Sequence, residues 1–503
     1  MFDDIVTKGE VNFKILEEKI FQLACGISNE IMRNLLEEYD KETMNSRDKA
    51  KYRHKGYETT TLKTKTGLVE YRRAKYLEIK EDGTKTCTYL TDEMLEINKV
   101  GQYSSGLIDL IVKNIKEVSY RACAEVINNC TGITATGVSV WNVVQKLGQE
   151  IKSKEKVKVK AHEDDTLEAG KKETPVVYQE ADGICIYTQG KLRKKQIAKY
   201  KKAHPGEEVP KRVRNVEIKL GMTYEGWQKV GTNRFELVGK EFVCGYMSGE
   251  EMADITNANL HTKYDMEKTE LRVLNSDGAR WIKQLLAARA IHQADSYHIK
   301  ERISRLVKEK EDSDILKDLF WKKEYEAMFE YAEMLKYKYD GEIEEVEKLN
   351  ELQRYLRKRQ DSIKRYNDSP TIKAKLKTFS KKTGLKYRNM GCQESNNYSV
   401  ITRRFKRRRM SWSKDGSENL AKVITTYASE SCTDIMTDLE IQILPETFVE
   451  YAESHIKEIE ENIKKKKLNS KNIGYEIKQG AIAVGANIRG ILKPRPCSEL
   501  TYR

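Results

Sequence analysis

Residues 175–187 read Pro-Val-Val-Tyr-Gln-Glu-Ala-Asp-Gly-Ile-Cys-Ile-Tyr, a largely apolar run interrupted by Asp182 and Gly183. Valine, isoleucine and tyrosine favour extended backbone, so the run predicts a strand buried in a sheet. Aspartate is disfavoured inside strands, and glycine there lets another segment or a substrate approach closely. Asp182 is therefore either part of a functional site or, since Asp-Gly is also a strong turn signal, the tip of a hairpin.

The segments downstream of this strand predict the rest of an α/β core. Further strands fit residues 213–224, 235–246, 271–275 and 290–294, and helices fit 249–268 and the segments after Asp277 and Asp295. The order is three strands, helix, strand, helix, strand, helix, which is typical of a mixed sheet covered by helices and is that of a ribonuclease H-like core. A second Asp-Gly pair, Asp277-Gly278, ends one of these strands, as expected of a site at a strand end.

The remaining segments differ in pattern and predict separate structural parts. Apolar residues recur at helical spacing near the N-terminus, which serves either dimerisation or ordinary packing. The expected parts are an N-terminal helix (1–45), a small β unit (50–100), a helix-turn-helix region (105–152), the first part of the core (172–300), an all-helical insertion (300–385), the second part of the core (386–430) and a helical tail (431–503).

The helix-turn-helix prediction rests on residues 107–150, where short helical patterns alternate with a tight turn. The second helix of the pair begins near Thr136, and it is expected to present polar side chains to DNA phosphates or base edges. These side chains are Ser139, Asn142, Gln145 and Lys146. Any small helical bundle has a similar pattern, so the segment alone leaves DNA binding and plain packing equally open.

The charge balance favours a polyanionic partner. The chain has 92 Lys plus Arg against 78 Asp plus Glu, a net charge of +14, and basic surfaces gain affinity by releasing counterions from phosphates. The densest cluster, which we expect to contact DNA because cations without acids repel one another, consists of Arg403, Arg404, Lys406, Arg407, Arg408 and Arg409. A second basic stretch, Lys191 to Lys202 with Lys211, Arg212 and Arg214, predicts a protruding loop or hairpin over the DNA.

Cysteine spacing and hydropathy exclude several classes of protein. The nine cysteines include no Cys-x-x-Cys pair and no Cys/His cluster at zinc spacing, so we expect free thiols in a reducing compartment. No run of 18 apolar residues occurs, and the first residues lack the pattern of an export signal. We therefore expect a soluble cytoplasmic protein without a membrane partner.

Several motifs occur in a fixed order. They are Glu180-Ala181-Asp182-Gly183, Ser276-Asp277-Gly278-Ala279-Arg280-Trp281-Ile282, Asp295-x-x-His298, Gly391-Cys392-Gln393-Glu394-Ser395-Asn396, and Met410-Ser411-Trp412-Ser413 after the basic cluster. The ordered set resembles the bacterial ISLre-type insertion-sequence transposases, which belong to the wider Mutator-related group of Asp-Asp-Glu transposases. The likeness extends from the small β unit to about residue 430, and it is the order of the motifs that makes it specific.

The resemblance implies a ribonuclease H-like fold with the triad Asp182, Asp277 and Glu394, the last two separated by the all-helical insertion. Close relatives usually have Gly-His after the glutamate, where this chain has Ser395-Asn396, so Glu418 is kept as the alternative third acid. Two-metal phosphodiester chemistry needs such carboxylates, because Mg²⁺ or Mn²⁺ ions must activate the attacking oxygen and stabilise the leaving one.

The function implied is a DNA transposase that binds terminal inverted repeats and catalyses metal-dependent strand cleavage and strand transfer. Two Mg²⁺ or Mn²⁺ ions, double-stranded DNA, a homodimer or higher assembly, and a nucleoid-associated location in a bacterial cytoplasm follow as expectations. Two alternatives are a ribonuclease H-like nuclease or resolvase without strand transfer, and a helix-turn-helix protein without catalysis.

Three further side chains have more general expectations, and two of them allow more than one role. His298 fits stacking near the site, a hydrogen bond to the scissile phosphate, or a structural pair with Asp295. Trp281 is expected in the core. Trp412 fits either the core or stacking on a flipped base.

Overall fold

The computed structural model describes residues 13–80, 83–97, 99–210, 215–287, 289–406 and 410–469. The chain forms two compact units. The larger unit takes residues up to 29, residues 61–69 and residues 96–442, and the smaller takes 30–60, 70–95 and the segment from 443 onward.

The described helices alternate with strands in the first half of the chain and dominate the second half. The α-helices are α1 (Phe13–Ser46), α2 (Leu90–Met94), α3 (Ser105–Ile115), α4 (Tyr120–Cys130), α5 (Gly137–Glu163), α6 (Gly190–Ala203), α7 (Gly249–Lys263), α8 (Ser296–Leu306), α9 (Lys310–Lys322), α10 (Tyr325–Lys338), α11 (Ile343–Arg357), α12 (Pro370–Thr383), α13 (Gln393–Asn396), α14 (Arg403–Phe405), α15 (Lys414–Ala428), α16 (Ile435–Asp438) and α17 (Glu446–Asn469). Short 3₁₀ turns lie at Met266–Lys268, Arg280–Leu285 and Tyr366–Asp368, and a π-helical turn at Asn397–Thr402.

The strands form three sheets. They are β1 (Tyr52–Thr64), β2 (Gly67–Ile79), β3 (Lys85–Thr88), β4 (Val176–Tyr187), β5 (Asn215–Tyr224), β6 (Gly226–Lys229), β7 (Phe235–Val238), β8 (Glu241–Gly245), β9 (Leu271–Ser276) and β10 (Ile291–Ala294). The first three strands form one sheet in the order β1-β2-β3, and β6 pairs with β7.

The central sheet has five strands in the order β10-β9-β4-β5-β8. Strand β4 is antiparallel to β5, which is antiparallel to β8, whereas β9 is parallel to both β4 and β10. Helices cover this sheet, so the predicted α/β class with a mixed sheet covered by helices is confirmed.

Alternating side chains of β4 serve the two faces of the central sheet. Tyr178, Ile184 and Ile186 belong to the main hydrophobic core with residues of α3, α4, α5 and α15. Ala181 faces the other way and packs with residues of α7 and β8. Both faces of β4 are thus covered, which explains why its sequence is apolar almost throughout.

Side-chain caps define where several helices of the larger unit begin. In each case a hydroxyl oxygen before the first helical residue accepts a hydrogen bond from a free backbone N–H of the first turn. The capping residues are Ser104, Ser119, Thr136, Ser248 and Ser413.

Helices α8 to α11 build a second hydrophobic core. It contains Ile299 and Ile303 of α8, Leu316 and Phe320 of α9, and buried residues of α10 and α11. At the end of this segment the carbonyl of Ser362 accepts a hydrogen bond from the Ala294 N–H at 2.7 Å, so the segment returns to the edge of the central sheet.

In the smaller unit the buried carboxylate of Asp40 joins α1 to the sheet. It accepts hydrogen bonds from the Ala74 N–H at 2.8 Å and the Thr91 hydroxyl at 2.6 Å. Tyr39 packs edge-on against Phe448 of α17, with ring centroids 4.8 Å apart.

Two predictions of local structure, one of a strand and one of a loop, were wrong. The strand expected at 235–246 is divided into β7 and β8, because Gly239 has a φ of 71° and turns the chain between them. The basic stretch Lys191–Lys202 forms helix α6 and not a loop or hairpin, whereas Lys211, Arg212 and Arg214 lie outside the described residues. Lysine, arginine, glutamine and alanine are good helix formers, and like charge alone does not end a helix.

None of the described helices is both long enough and apolar enough to cross a lipid bilayer.

Candidate active site

Asp182 lies in β4, and Asp277 directly follows the neighbouring parallel strand β9. The last pair in register between β4 and β9 is Ala181 with Ser276, and each aspartate is the next residue of its chain. Hydrogen-bonded strands lie about 4.8 Å apart. The two carboxylates therefore start from adjacent points at one edge of the sheet, and Asp182 is not the tip of a hairpin.

Asp277 is held by the turn that follows β9. Gly278 has a φ of 78°, which favours glycine, and the Asp277 carboxylate accepts a hydrogen bond from the Ala279 N–H at 2.8 Å. The guanidinium of Arg359, just after α11, donates to the main-chain oxygen of Asp277. The helical segment thus contacts the backbone of this residue directly.

His298 reaches the same place from the first turn of α8. Asp295 caps this helix by accepting a hydrogen bond from the Tyr297 N–H at 2.8 Å. The His298 Nε2 atom lies 3.9 Å from Asp182 Oδ2 and 3.6 Å from Glu394 Oε1. Asp295 therefore has a structural role, and His298 contacts two acids of the predicted triad.

Glu394 completes the cluster from the short helix α13. One ligand atom from each of Asp182, His298 and Glu394 lies within 4.8 Å of the others. The Asp182 side chain is 14% exposed and that of Glu394 is 40% exposed, so the cluster opens toward solvent on the Glu394 side. The structure brings these three residues together, and Asp277 directly follows the neighbouring strand β9.

Glu418, the alternative third acid, is engaged elsewhere. One of its oxygens accepts a hydrogen bond from the Tyr246 N–H at 3.1 Å, and the other lies 3.3 Å from the Lys152 Nζ. It joins β8 to α5 and α15.

Asn397 is a site residue that the sequence did not reveal. Its side-chain amide donates to Asp182 Oδ2 at 2.7 Å, and its own oxygen accepts from Gln393 Nε2 at 2.8 Å. Asn397 begins the π-helical turn, a distortion that is frequent at functional sites. The signal in the sequence was weak, since an asparagine in a short helix has no distinctive pattern.

Glu180 is the second residue that the sequence did not single out. It is 0% exposed, and its carboxylate accepts hydrogen bonds from the N–H groups of Gly391, Cys392 and Gln393 at 3.2–3.3 Å. The Tyr224 hydroxyl donates to it at 2.7 Å. A glutamate in an apolar strand was the available signal, because glutamate is almost never fully buried without partners.

Asn275 extends this buried network across the sheet. Its side-chain amide donates to Glu180 at 2.9 Å and to Asp295 at 3.1 Å, and its oxygen accepts from Gln293 Nε2 at 3.0 Å. One chain of hydrogen bonds thus joins β4, β9 and β10 to the loop before Glu394 and to the cap of the His298 helix.

Burial and neighbouring charges set the protonation of the cluster. Burial raises the pKa of Asp182 to about 6, and the negative charges of Asp277 and Glu394 add to this rise, while His298 and the Gly183 N–H oppose it. Burial also raises the pKa of Glu180. The carboxylates repel one another, and a bound cation would relieve that repulsion.

Two of the predicted DNA-binding residues are buried, which corrects the prediction. Arg404 is 3% exposed, and its guanidinium donates to the Ile115 oxygen at 2.8 Å and lies over the ring of Trp412. Gln145 is 7% exposed and accepts from Asn419 Nδ2 at 2.8 Å. Both side chains join elements of the core, where neither can reach DNA.

The other predicted DNA contacts differ in their surroundings. Ser139 takes part in the capping box with Thr136, whereas Asn142 and Lys146 are exposed on α5. Arg403 pairs with Glu117 at 2.6 Å, and Lys406 is exposed. The remaining members of the basic cluster, Arg407, Arg408 and Arg409, lie outside the described residues.

Both tryptophans named in the sequence analysis have packing partners. Trp412 is buried against Phe405, with ring centroids 4.8 Å apart, and its indole donates to the Phe405 oxygen at 3.0 Å. Trp281 packs at the edge of the core, and its indole donates to Glu217 at 3.0 Å.

Comparison with known proteins gives one family and several relatives. The model of an uncharacterised protein family, UPF0236, matches residues 6–434. A UPF0236 protein of Caldanaerobacter subterraneus subsp. tengcongensis is 25% identical over 437 residues, covering 84% of this chain and 79% of the relative. A second from the same organism is 25% identical over 446 residues, with the same coverage. Their names join eleven and four loci respectively, so these relatives occur in multiple copies in one bacterium.

We predict that Asp182→Asn stabilises the metal-free protein at neutral pH. Aspartate titrates near 3.9 in an unfolded chain and Asp182 at about 6 in the fold. The folded protein binds this proton more tightly, so wild-type stability falls as the pH rises from about 4 to about 6 and then levels off. The variant lacks this loss, and its free energy of unfolding should exceed that of wild type by about 1–3 kcal/mol above pH 6.

Urea unfolding in EDTA between pH 4 and pH 8 measures this difference. The exposed Asp254→Asn is the matched control, and it should show no gain that grows with pH. A difference for Asp182→Asn that is equal at both ends of the pH range contradicts the prediction.

We predict that Glu180→Gln detaches the loop that carries Glu394. A carboxylate only accepts, whereas the glutamine NH₂ would face N–H donors of residues 391–393, at a cost of about 1–3 kcal/mol in stability. Hydrogen–deuterium exchange should accelerate at residues 391–397.

The control for this experiment is Glu225→Gln, which removes a buried carboxylate bound by Tyr264 and Lys172. That variant should lose stability without faster exchange at 391–397. Unchanged exchange in Glu180→Gln would show that Glu180 does not hold the loop.

Proposed function

We propose that this chain, which belongs to the UPF0236 family, is a DNA transposase of a bacterial insertion sequence. In this proposal it binds the terminal inverted repeats as a homodimer or higher assembly, cleaves the DNA strands in a metal-dependent reaction and joins them to target DNA in the cytoplasm. The convergence of Asp182, Glu394 and His298, with Asp277 directly after the adjacent strand β9, is the observation that carries the proposal.

The residues present fit a divalent cation. Two carboxylates and one imidazole offer ligand atoms within 4.8 Å of one another. Burial raises the pKa of Asp182, and the charges of Asp277 and Glu394 add to that rise. Asp182, Asp277 and Glu394 would hold Mg²⁺ or Mn²⁺, two ions in the full site. When bound, these ions lower the pKa of the attacking water or 3′-hydroxyl and stabilise the leaving oxyanion.

The chain's own residues prepare the site for this chemistry. Asn397 and the Gly183 N–H fix the two oxygens of Asp182 at 2.7 Å each. Glu394 is the most exposed of the three clustered side chains, so it lies on the side from which a phosphodiester can enter. A rigid set of oxygen ligands suits Mg²⁺, which tolerates little deviation from octahedral geometry.

The topology of the central sheet supports a ribonuclease H-like core. Within the central sheet, the three strands that come first in sequence, β4, β5 and β8, are antiparallel neighbours. Strands β9 and β10 then lie parallel to β4 on its other side. This is the arrangement expected from the order of predicted elements. The helices α8 to α12 lie between Asp277 and Glu394, in the segment where the all-helical insertion 300–385 is expected.

Helices α4 and α5 support a helix-turn-helix reading of the segment before the core. Thr136 caps α5, and the exposed side chains of the first turns of α5 include Asn142 and Lys146. Trp141 and Val138 are also exposed there, at 41% and 69%. An exposed helix start of this kind suits a groove of DNA.

The relatives supply independent support from their copy number. A name that joins eleven loci in one bacterial genome describes a gene that has multiplied there. Insertion sequences multiply in this way, and under this proposal transposition produced the copies of the relative.

We predict that Asp182→Asn, Asp277→Asn and Glu394→Gln each abolish metal-dependent nicking of a labelled duplex that carries the element's own end. A bound ion stabilises transition-state charge by several kcal/mol, so each loss should lower the rate by roughly a thousandfold. Gel analysis with and without Mg²⁺ or Mn²⁺ measures the rate.

Glu418→Gln is the control for this series, because the contacts of Glu418 are with Tyr246 and Lys152. It should cleave within a few-fold of wild type. If Glu394→Gln kept its activity while Glu418→Gln lost it, the third acid would have to be reassigned. If wild type bound the end but never cut it, the proposal of a transposase would fail.

We predict that His298→Ala shifts the metal preference of cleavage. An imidazole nitrogen in the ligand set favours transition-metal ions over Mg²⁺, which prefers oxygen. The variant should lose about tenfold or more with Mn²⁺ and less with Mg²⁺. An equal loss with both ions assigns His298 to the phosphate or to proton transfer instead of the metal.

A further inference from the structure

We propose that helix α6, together with Lys406, forms the surface that holds the phosphate backbone of double-stranded DNA beside the candidate active site. The inference rests on the proposed function, since it assigns a place to the substrate of that site. It concerns a part of the chain that the cleavage chemistry itself does not use.

Helix α6 is not needed to connect its neighbouring strands. Strands β4 and β5 stay paired up to Tyr187 and Asn215, and two to five residues are enough to join antiparallel neighbours. Residues 188–214 form the connection instead, and α6 occupies 14 of them. A large excursion at this point indicates a purpose other than linking the strands.

The sequence of α6 is strongly basic. Gly-Lys-Leu-Arg-Lys-Lys-Gln-Ile-Ala-Lys-Tyr-Lys-Lys-Ala contains seven lysine and arginine residues and no acid. Like charges four residues apart repel on a helix, and cations in the first turn oppose the helix dipole. A polyanion lying along the helix would remove both penalties.

Those cations of α6 whose side chains are described have no acidic partners among the described residues, and most are exposed. The exposed ones are Lys194, Lys195, Lys199, Lys201 and Lys202. Lysines of α9 differ, because Lys317 lies 3.5 Å from Asp314 and Lys322 lies 2.7 Å from Asp318. The positive charge of α6 is thus available to an external ligand.

The helix is anchored to the strand that carries Asp182. The Gln189 N–H donates to the Trp412 oxygen and the Trp412 N–H to the Tyr187 oxygen, each at 2.9 Å. Gln196 Nε2 donates to the Asn215 oxygen at 3.0 Å. From Asp182 to Tyr187 the strand advances about 17 Å, so the attachment of α6 lies about that distance from Asp182 along β4.

Lys406 adds a further cation near β4. It is exposed, and it lies close enough to Cys185 of β4 for its charge to oppose the rise in the pKa of that thiol. Because Cys185 lies between Asp182 and Tyr187 along β4, Lys406 adds positive charge near the part of the strand that leads from Asp182 to α6.

The chemistry of α6 fits phosphate groups better than bases or lipids. Its aromatic residue, Tyr200, is stacked on His204 at 4.3 Å between ring centroids and donates to Glu207 at 2.9 Å, so it is committed within the chain. No large apolar side chain is exposed among the described side chains of α6, as an interfacial membrane helix would require. Backbone contacts of this kind carry no sequence preference.

The test is Lys195→Gln/Lys199→Gln/Lys202→Gln, which neutralises one face of α6. Fluorescence anisotropy with a labelled DNA duplex, in EDTA and over a series of KCl concentrations, measures binding without cleavage. We expect affinity to fall about 10- to 100-fold at low salt, and the slope of log K against log salt to shrink by about 2–3. The loss should be equal for the element's end and for unrelated DNA.

The control is Lys317→Gln/Lys322→Gln/Lys348→Gln, which removes the same charge from lysines that pair with acids. It should bind like wild type. Unchanged affinity and slope in the α6 variant, an equal loss in the control, or tighter wild-type binding to duplex RNA or anionic vesicles than to DNA each overturn the inference.

A cleavage assay with Mg²⁺ or Mn²⁺ on the same proteins, beside the binding measurement, separates this inference from the proposed function. Wild type that binds duplex DNA through α6 but never cleaves it with Mg²⁺ or Mn²⁺ supports the surface and removes the transposase. Metal-dependent cleavage by a protein whose binding does not depend on α6 removes the surface and leaves the transposase.

Discussion

The buried carboxylate of Glu180 holds the candidate site together. Three consecutive N–H groups, at Gly391, Cys392 and Gln393, find their acceptor there, more than two hundred residues along the chain from Glu180. Unpaired, these groups would be costly to bury. Since Glu180 and Asp182 are two residues apart on one face of β4, fixing the loop to one fixes Glu394 beside the other.

This arrangement separates what stabilises the fold from what the site needs. Below the surface, Asn275 donates to both Glu180 and Asp295, so its amide lies between the two acids. Nearer the surface, burial and the charges of Asp277 and Glu394 raise the pKa of Asp182 to about 6, although His298 and the Gly183 N–H oppose this rise. The repulsion among these carboxylates lowers the stability of the metal-free fold, and a bound cation would relieve it.

The sequence predicts the parts of this site that depend on local pattern. The apolar pattern of the sequence predicts strand β4 and the strands before Asp277 and Asp295. An aspartate in or directly after such a strand indicates a candidate site, because aspartate is disfavoured in strands. Glu394 has no local signal, because the helical segment separates it from Asp277, and only the likeness to a transposase family pointed to it. The charge pattern did not predict which basic side chains are exposed. Arg404 belongs to a basic cluster, yet its side chain is buried against Ile115 and Trp412.

Each acid is positioned by a segment distant in sequence, and this has a consequence for how the site forms. Asn397 holds Asp182, Arg359 holds the backbone of Asp277, and Glu180 holds the loop of Glu394. Through Arg359, which follows α11, the helices α8 to α11 are thus hydrogen-bonded to the site. Because no acid is placed by its own neighbours alone, the cluster can assemble only after the larger unit has folded through residue 397, and a chain that stops earlier lacks the site even though it contains both aspartates.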